Sequence, residues 1–210
     1  DQEDIIALTE GYFKLLWKEI KGMDIETPFR RLTYKDAMLR YGSDKPDLRF
    51  DWELKDVSEQ VKDSKFKVFS GAVANGGNVA VLNAKGCAGY SRKVIDELTE
   101  FAKKYGAKGL AWMKMQDGGV KSPIAKFFDE ETIKQITETA QAEEGDLLLF
   151  GSDKFQTCFT VLGALRLEIA KREGILEKVK DNFEFAWVVD FPLFEYDEEA
   201  QRYIAMHHPF

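Results

Sequence analysis

Two adjacent histidines near the end of the chain offer its clearest chemistry. His207 and His208 are the chain's only histidines, and they stand directly before Pro209. Proline holds the preceding residue in extended geometry, and successive side chains of extended backbone point in opposite directions. One ring can therefore face a cleft while the other faces the protein. The commoner alternative is a satisfied structural pair at a strand end.

A second polar group lies far upstream, where residues 43–47 read SDKPD. A loop of Ser, Asp, Lys and Pro is most often a tight turn. In that interpretation Asp44 or Asp47 caps the local backbone and Arg49 pairs with an acid. The residue types alone leave open whether the loop also contacts a ligand.

The elements that must position the histidines are strands. The apolar run at 185–191 has no helical spacing and predicts a buried strand. Residues 193–196 and 203–206 flank an acidic turn at 197–200, which predicts a hairpin. The returning strand of this hairpin leads directly to His207.

Two helices are predicted before the polar loop. Residues 1–21 are amphipathic and end at Gly22, a typical helix stop. Thr33 caps a second helix over 34–41, with Asp36 in the capping-box place. One apolar stripe of the first helix comprises Ile5, Leu8, Tyr12, Leu16 and Ile20.

The middle of the chain predicts a mixed layer of strands and helices. Residues 67–74 and 79–84 are predicted to form a hairpin around the turn at 75–78, which reads NGGN. Ser91 is predicted to cap a helix. The further elements expected are helices to Lys104, over 129–141 and over 154–172, and strands over 110–115 and 147–150. This order favours an α+β fold with an antiparallel sheet and helices over a nucleotide-binding βαβ wrap.

Composition places the chain among ordinary globular proteins. It has 210 residues, of which 44% are hydrophobic and 32% charged. No apolar run approaches the roughly 20 residues needed to cross a bilayer, so we expect no membrane partner. We expect a cytoplasmic protein, or the mature part of an organelle protein. Cys87 and Cys158 have no metal-ligand spacing, and we expect reduced thiols and no metal site.

The net charge of the chain limits the kinds of nucleic acid that it could bind. The formal net charge of −7 argues against a surface that coats nucleic acid indiscriminately, but a local basic face would suffice for RNA recognised by shape. Basic residues of the middle region would form such a face if they lay together, and are otherwise a solvated surface: Arg92, Lys93, Lys103, Lys104, Lys108, Lys114, Lys121 and Lys126.

Several strings together resemble a known enzyme family. The strings DFPLFEYDEE and MHHPF at 190–199 and 206–210, and LTYKDAMLRYGSDKPDLR at 32–49, are similar to catalytic segments of bacterial-type aspartyl-tRNA synthetases of class II. The strings GAKGLAWMKM, SPIAKFF and GDLLLFGSD resemble the GAD domain inserted in those enzymes. The resemblance spans the chain and implies catalytic segments at 1–52 and 174–210, part of an antiparallel catalytic sheet, around a GAD insertion at 53–173. Both ends look cut, which suggests a fragment.

The family resemblance implies an activity for the full-length enzyme. Such an enzyme activates L-aspartate with ATP, assisted by Mg²⁺, and transfers the aspartyl group to the 3′ end of tRNA. The resemblance implies that His207 faces the aspartate and His208 supports it. It also places Ser43, Asp44 and Lys45 on the substrate side, with no residue here named catalytic. A homodimer is expected for the full-length enzyme, while the fragment's own state stays open.

The resemblance also sets what the fragment should lack. The three class II signature motifs, which hold ATP and Mg²⁺, do not appear, so we expect the fragment alone to be inactive with no ligand bound. Two alternatives come from other classes. One is a non-catalytic, tRNA-contacting GAD module of an amidotransferase subunit, against which SDKPDLR and MHHPF speak. The other is an insertion that acts only as a structural spacer.

Overall fold

The computed structural model describes residues 1–197 and 200–207, which form two compact units. The first comprises residues 1–34 with the described part of 183–210, and the second comprises residues 35–182. The domain boundaries expected from the sequence, 1–52, 53–173 and 174–210, stay a prediction. Among the described helices, none is both long and apolar enough to cross a membrane.

The first unit begins with helix α1, Gln2–Leu16, followed by a π-helical turn over Trp17–Lys21. A capping box starts the helix, since the Asp4 amide donates to the Asp1 carboxylate at 3.1 Å and the Asp1 amino group donates back to Asp4. Gly22 ends it in the left-handed conformation with φ of 66°, where glycine costs little. The predicted first helix is confirmed.

Helix α1 buries a different face from its most apolar stripe. The side chains of Ile5, Leu8, Tyr12 and Ile20 are exposed, whereas Glu10 is only 5% exposed. The Glu10 carboxylate accepts hydrogen bonds from the Phe29 amide at 3.0 Å and from Trp187 Nε1 at 2.9 Å. A buried carboxylate requires hydrogen-bond donors. These two hydrogen bonds connect α1 to Phe29 and to Trp187, which are far apart in the sequence.

The sheet of the first unit pairs the two flanks of the chain. Strand β1, Arg30–Thr33, runs parallel to β7, Ala186–Val189, in the register Arg30↔Ala186 to Thr33↔Val189. The predicted strand near 185–191 is therefore confirmed, although its side chains are half-buried and its pairing is parallel rather than antiparallel. Aromatic rings pack beside this pair: Phe13, Trp17, Phe29, Phe183 and Phe185.

The predicted C-terminal hairpin is also confirmed. Strands β8, Phe194–Asp197, and β9, Arg202–Ala205, pair antiparallel. Tyr196 and Tyr203 face each other across the hairpin with ring centroids 5.3 Å apart. The returning strand leads to His207 as the sequence indicates.

The second unit is built on a five-stranded antiparallel sheet. Its strands are β2 Leu54–Asp56, β3 Asn78–Ala84, β4 Ala111–Gln116, β5 Gly119–Lys121 and β6 Leu147–Asp153. Their order in the sheet is β2-β3-β6-β4-β5. The central strands β3 and β6 are deeply buried and pair along seven residues, from Asn78↔Asp153 to Ala84↔Leu147.

Helices surround this sheet. They are α2 Tyr34–Tyr41, α3 Ser58–Val61, α4 Lys67–Ala74, α5 Arg92–Lys103, α6 Glu130–Thr139, α7 Phe155–Arg172 and α8 Ile175–Lys178, with 3₁₀ turns at Cys87–Gly89 and Ala125–Phe127. Ser91 caps α5 and Asp129 caps α6, each accepting the amide of the third residue onward. The α+β class is confirmed.

One predicted hairpin is wrong. Residues 67–74 form helix α4, and the NGGN sequence ends that helix instead of turning a hairpin. The Asn75 amide donates to the carbonyls of Gly71 and Ala72, and Gly76 follows with φ of 75°. Helix ends and hairpin turns both need a left-handed residue, and a short apolar run has no decisive period.

A different hairpin went unpredicted. Strands β4 and β5 pair antiparallel around Asp117 and Gly118, whose φ angles are 57° and 72°. Two successive positive φ angles are those of a tight two-residue hairpin turn. Only three residues of β5 take part, too few to give an alternating pattern in the sequence.

Candidate functional site

The His207 ring lies in an aromatic setting in the first unit. Its centroid is 4.5 Å from that of Phe191 and 6.0 Å from that of Tyr34, and both rings meet it edge to face. Tyr34 and Phe191 contact each other at 5.2 Å. Because Tyr34 follows β1 and Phe191 follows β7, the parallel strand pair supplies both aromatic neighbours.

The ring of His207 has an unused polar atom. Its Nε2 is buried, and within 1–197 and 200–207 no hydrogen-bond partner reaches it. A buried nitrogen without a partner costs about 1–3 kcal/mol, and such atoms are rare unless a ligand or water meets them. His207 therefore offers an oriented hydrogen-bonding group. The predicted supporting residue, His208, lies outside the described residues.

The SDKPD loop lies in the second unit and has the geometry of a turn. The Lys45 amide donates to Ser43 Oγ at 3.0 Å. The Asp47 carboxylate accepts from Arg49 three times, from the amide at 3.1 Å, Nε at 2.9 Å and Nη2 at 2.7 Å. The Arg49 guanidinium lowers the pKa of Asp47. This supports the interpretation in which Arg49 pairs with an acid inside the loop.

A buried arginine fixes the backbone that follows this loop. Arg166 of α7 is 1% exposed, and its guanidinium donates to the carbonyls of Trp52, Asp47 and Phe50, the last two at 2.9 and 2.8 Å. It also lies 3.9 Å from the centroid of the Phe50 ring. Burial lowers the pKa of Arg166 to about 10, so the group stays charged at neutral pH and its hydrogen bonds are charge-assisted.

The sequence reasoning missed Arg166, although a signal was present. Arg166 stands at a spacing of four and three residues from Leu162 and Ile169, on the apolar face of α7. A charged residue on an otherwise buried helix face requires partners. The partners themselves lie more than 110 residues away in sequence, so only the fold identifies them.

Two glycines let α2 reach α7 closely. A Cβ at Gly163 would lie 2.6 Å from the Gly42 carbonyl oxygen and 2.7 Å from that of Tyr41. A Cβ at Gly42 would lie 2.1 Å from the Phe159 carbonyl oxygen. These distances are below any ordinary contact, so the backbone crossing requires glycine on both sides. The crossing holds the start of the SDKPD loop against α7.

Glu53 completes the support of the loop. Its carboxylate accepts from Arg40 Nη2, from Lys55 Nζ at 3.2 Å and from the Tyr41 hydroxyl at 3.3 Å. The hydrogen bond from Arg40, followed by that from Lys55, lowers the pKa of Glu53 to about 2. The residues just before the loop are thus bonded to Glu53 just after it, and Arg166 binds the carbonyls of residues 47, 50 and 52.

The predicted site residues fall in separate units of the molecule. His207 belongs to the first unit, and Ser43, Asp44 and Lys45 belong to the second. That they form neighbouring walls of one pocket stays a prediction. In the part of the chain that the structure describes, no three His, Cys, Asp or Glu side chains gather in a way that could hold a metal ion.

Most of the basic residues singled out in the middle region have local partners. Lys108 pairs with Asp153 at 2.9 Å and Arg92 with Asp96 at 3.1 Å. Further contacts are Lys103 to Glu100, Lys121 to Asp117, Lys114 to the Tyr90 carbonyl and Lys126 over the Phe127 ring. Such short surface pairs are typical of a solvated face, the alternative that the sequence left open.

Comparisons with known proteins agree with the resemblance seen in the sequence. Residues 69–162 match the GAD domain family. The whole chain is 56% identical to a protein of Halalkalibacterium halodurans named aspartate–tRNA ligase. It is 55% identical to proteins of Bacillus cytotoxicus and Bacillus subtilis named aspartate–tRNA(Asp/Asn) ligase. The chain spans 35% of the length of these curated relatives.

The GAD match covers α4 to the middle of α7, and therefore most of the five-stranded sheet. The match to the ligases continues on both sides of it, through the SDKPD loop and through the strands that lead to His207. The chain is thus similar along its whole length to a segment of proteins named aspartate–tRNA ligase, and its residues 69–162 match the GAD domain family.

Proposed function

We propose that the protein of which this chain is a segment activates L-aspartate with ATP and transfers the aspartyl group to the 3′ end of tRNA. The observation that carries this proposal is the match of 51–56% identity along the whole chain to relatives named as ligases of that kind. The reaction depends on positioning and charge neutralisation and requires no covalent nucleophile. Mg²⁺ would neutralise the phosphates, although among the described residues no group of three His, Cys, Asp or Glu side chains could hold the ion.

Within this segment, His207 is the proposed contact for the aspartate side chain. Its ring is oriented by Phe191 and Tyr34, and its buried Nε2 lacks a partner among the described residues. A protonated imidazole donates to a carboxylate but gains much less from the neutral amide of asparagine. The arrangement supports charge-dependent selection of aspartate. His208 is proposed to support this ring.

The SDKPD loop is proposed to border the substrate side without taking part in chemistry. Ser43 and Lys45 are joined by a hydrogen bond within the turn, and Asp44 is half-buried beside them. The supports described above, Arg166 and the Gly42–Gly163 crossing, hold this loop in one conformation. Their proposed role is positioning, since neither touches a reacting atom.

The aspartate contact is tested in the full-length enzyme. We expect His207→Ala to raise the KM for aspartate at least about ten-fold, since it removes a charge-assisted hydrogen bond of roughly 1.5–3 kcal/mol. His207→Gln, which can still donate one hydrogen bond, should recover part of the affinity but little of the preference for aspartate over asparagine. Tyr196→Phe, on the exposed hairpin, is the control and should change neither quantity. An unchanged KM in His207→Ala would refute the assignment.

The isolated segment and the inserted module make two further tests. We propose that the 210-residue chain alone does not catalyse aspartate-dependent exchange of pyrophosphate into ATP, and measurable exchange would contradict this. We also propose 53–173 as the extent of the inserted module. Deleting it from the full-length enzyme should reduce tRNA charging if the module takes part, whereas unchanged charging would make it a spacer.

Two properties of the full-length enzyme complete the proposal. We infer a homodimer in the cytoplasm, as the family resemblance implies. Light scattering of the full-length protein would establish its mass in solution, and a monomer that charges tRNA at full rate would overturn the dimer.

A further inference from the structure

The second unit contains a cavity that has no part in the proposed aspartate site. It has a volume of about 330 Å³ and lies between the start of α4, the first turns of α7, the segment before β4 and the end of β6. Its lining includes the buried side chains of Phe69, Phe150 and Val161 and the half-buried ones of Phe66 and Leu110. An apolar cavity of about 150 Å³ accommodates benzene, so this one has room for about two fused rings.

The cavity lies where strand β6 continues past the end of its pairing with β4. Strand β6 pairs with β3 as far as Asp153, but with β4 only as far as Phe150, opposite Ala111. Ser152, two residues after Phe150, lines the cavity. A residue of β6 therefore borders the cavity on the side where a sheet would normally continue.

The backbone of Ser152 faces the side that β4 leaves open. Along an antiparallel strand, every second residue turns its N–H and C=O towards the same neighbouring strand. The Asp146 carbonyl, directly before β6, accepts from the Met115 amide of β4 at 2.9 Å. The even-numbered residues of β6 therefore bond towards β4, as Phe150 does opposite Ala111. Within residues 1–197 and 200–207, no hydrogen bond reaches the N–H or the C=O of Ser152.

The charges at the cavity favour a neutral ligand. In the described part of the chain, the charged side chains that line it are Lys108 and Asp153, which pair with each other at 2.9 Å. Burial raises the pKa of the lining thiol of Cys158 to about 12, and the charges of Asp56 and Asp153 add to this rise. An anion would thus meet carboxylates and a lysine that is already paired, and any ion would lose its water to an apolar lining. The thiol stays protonated, so covalent capture is not expected.

The lining and the Ser152 backbone together select a flat molecule with a polar edge. Small-molecule sites commonly combine an apolar, aromatic lining with a few placed polar groups. Phe66, Phe69 and Phe150 offer ring contacts. A ligand acceptor can take the Ser152 N–H while a neighbouring ligand donor binds the Ser152 carbonyl, as a further residue of β4 would. A hydrocarbon would use the rings but leave both backbone groups without partners.

We propose that this cavity binds a small neutral molecule with two fused aromatic rings and an adjacent hydrogen-bond donor and acceptor, the arrangement of a cyclic amide. The amide edge pairs with the backbone of Ser152, and the rings contact the phenylalanines. The site involves neither His207 nor the SDKPD loop, and it does not depend on the proposed function.

The test titrates 2-quinolone, a neutral bicyclic cyclic amide, into the 210-residue chain and follows backbone-amide chemical shifts. We expect a dissociation constant below about 1 mM, with shifts concentrated at 107–111 and 150–153. 1-Methyl-2-quinolone, whose ring nitrogen cannot donate, should bind about five-fold more weakly. The anion quinoline-2-carboxylate should bind at least about ten-fold more weakly. No localised shifts at millimolar 2-quinolone, or tighter binding of the anion, would overturn the proposal.

The role of the Ser152 backbone is tested by two substitutions at one position. Ser152→Pro removes the N–H without removing a bond of the sheet, since this N–H points away from β3 and lies beyond the pairing with β4. We expect it to weaken 2-quinolone binding about five-fold. Ser152→Ala removes only the hydroxyl, which donates to the Val68 carbonyl at 3.2 Å, and should leave binding unchanged. Equal affinities of the two variants, or of 2-quinolone and its methylated form should Ser152→Pro not fold, would overturn the pairing with Ser152.

A second pair of variants ties the binding to the cavity. Gly109 lines the cavity and Gly89 does not; both are exposed, with no atom within 4 Å of an added Cβ. Gly109→Phe should weaken 2-quinolone binding at least about ten-fold by occupying the cavity, while Gly89→Phe should leave it unchanged. Thr157→Phe, which occupies the cavity from α7, repeats the test. Unchanged binding in both Gly109→Phe and Thr157→Phe would overturn the assignment.

The same titration in the full-length enzyme separates this site from the proposed aspartate site. His207→Ala should leave 2-quinolone binding unchanged, so failure of the aspartate site and failure of the cavity are distinct results. If the 210-residue chain binds 2-quinolone and the full-length enzyme does not, another segment of the longer protein covers the cavity, and the proposal is overturned.

Discussion

The loop at 43–53 and the ring of His207 are held in two different ways. The loop is anchored by polar groups that satisfy one another: Arg166 donates to three backbone carbonyls, and Asp47 and Glu53 accept from arginines. The His207 ring contacts the rings of Phe191 and Tyr34, and its buried Nε2 has no partner in the described part of the chain. The polar groups of the loop form hydrogen bonds within the protein, whereas His207 Nε2 still has a free hydrogen-bonding position among the described residues.

The difference separates structural support from ligand binding. A buried polar group with full internal partners gains nothing from a ligand, but one that lacks a partner gains about 1–3 kcal/mol when a ligand supplies it. This criterion supports the proposals that the SDKPD loop borders the substrate side and that His207 binds the ligand. The stability of the fold should therefore depend strongly on the residues that support the loop and only weakly on His207. Ligand binding should depend strongly on His207 and only weakly on those supports.

The largest expected effect on stability is at Arg166. Arg166→Ala should destabilise the second unit by about 3–5 kcal/mol, because three carbonyls lose their charged donor and the side chain leaves a void. Urea unfolding measures the loss, and hydrogen exchange at 47–53 should accelerate first. Arg172→Ala, which removes a more exposed arginine of the same helix, should cost below about 1 kcal/mol. Equal effects of the two would break the comparison.

The close crossing of α2 and α7 should give the next largest effect. Gly163→Ala should cost about 2–4 kcal/mol, because its Cβ would lie 2.6 Å from a backbone oxygen that cannot move independently. Gly71→Ala, in α4 with nothing within 4 Å, should stabilise by about 0.5–1 kcal/mol through helix propensity. Thermal unfolding of the two variants therefore gives shifts of opposite sign. A neutral Gly163→Ala would mean that the crossing does not constrain the loop.

Acid should weaken the loop's support through Glu53. Its pKa in the folded chain, about 2, lies below its ordinary value of 4.5, so its contribution is complete above pH 4.5 and is lost as the pH falls towards 2. We expect a loss of about 1–2 kcal/mol, reduced by partial solvent screening. Glu53→Gln should remove this part of the acid dependence. The difference in unfolding free energy between the two proteins at pH 6 and pH 2.5 measures it, and a constant difference would contradict the assignment.

The smallest effect on stability is expected at His207. His207→Phe keeps the ring contacts with Phe191 and Tyr34 and removes the unpartnered nitrogen, so stability should change by less than about 1 kcal/mol. In the full-length enzyme the same variant should lose aspartate affinity as severely as His207→Ala. A loss of stability as large as that of Arg166→Ala would mean that His207 is a structural residue.

Local sequence signals correctly predicted the helices in which the capping residue and the spacing of the apolar residues indicate the same boundaries. Helices α1, α5 and α6 begin directly after Asp1, Ser91 and Asp129. In each case the side chain of that preceding residue caps the helix. Helix α7 was predicted from its long apolar face. Helix α4 was predicted as a strand because KVFSGAVA is apolar, short and followed by NGGN, and no local signal decides between the two forms.

By itself, the chain's sequence determined the ends of helices α1, α2, α5, α6 and α7, the C-terminal hairpin, the histidine pair and the resemblance to the ligases. These follow from contacts within a few residues or from direct comparison of residues. Only the tertiary structure decided that Arg166 binds the backbone carbonyls of the segment 47–52 and that Gly42 packs against Gly163. It also decided that β6 extends beyond the end of its pairing with β4, which leaves a cavity. Each depends on groups many tens of residues apart in the chain, whose meeting is set by the packing of the whole core rather than by any local pattern.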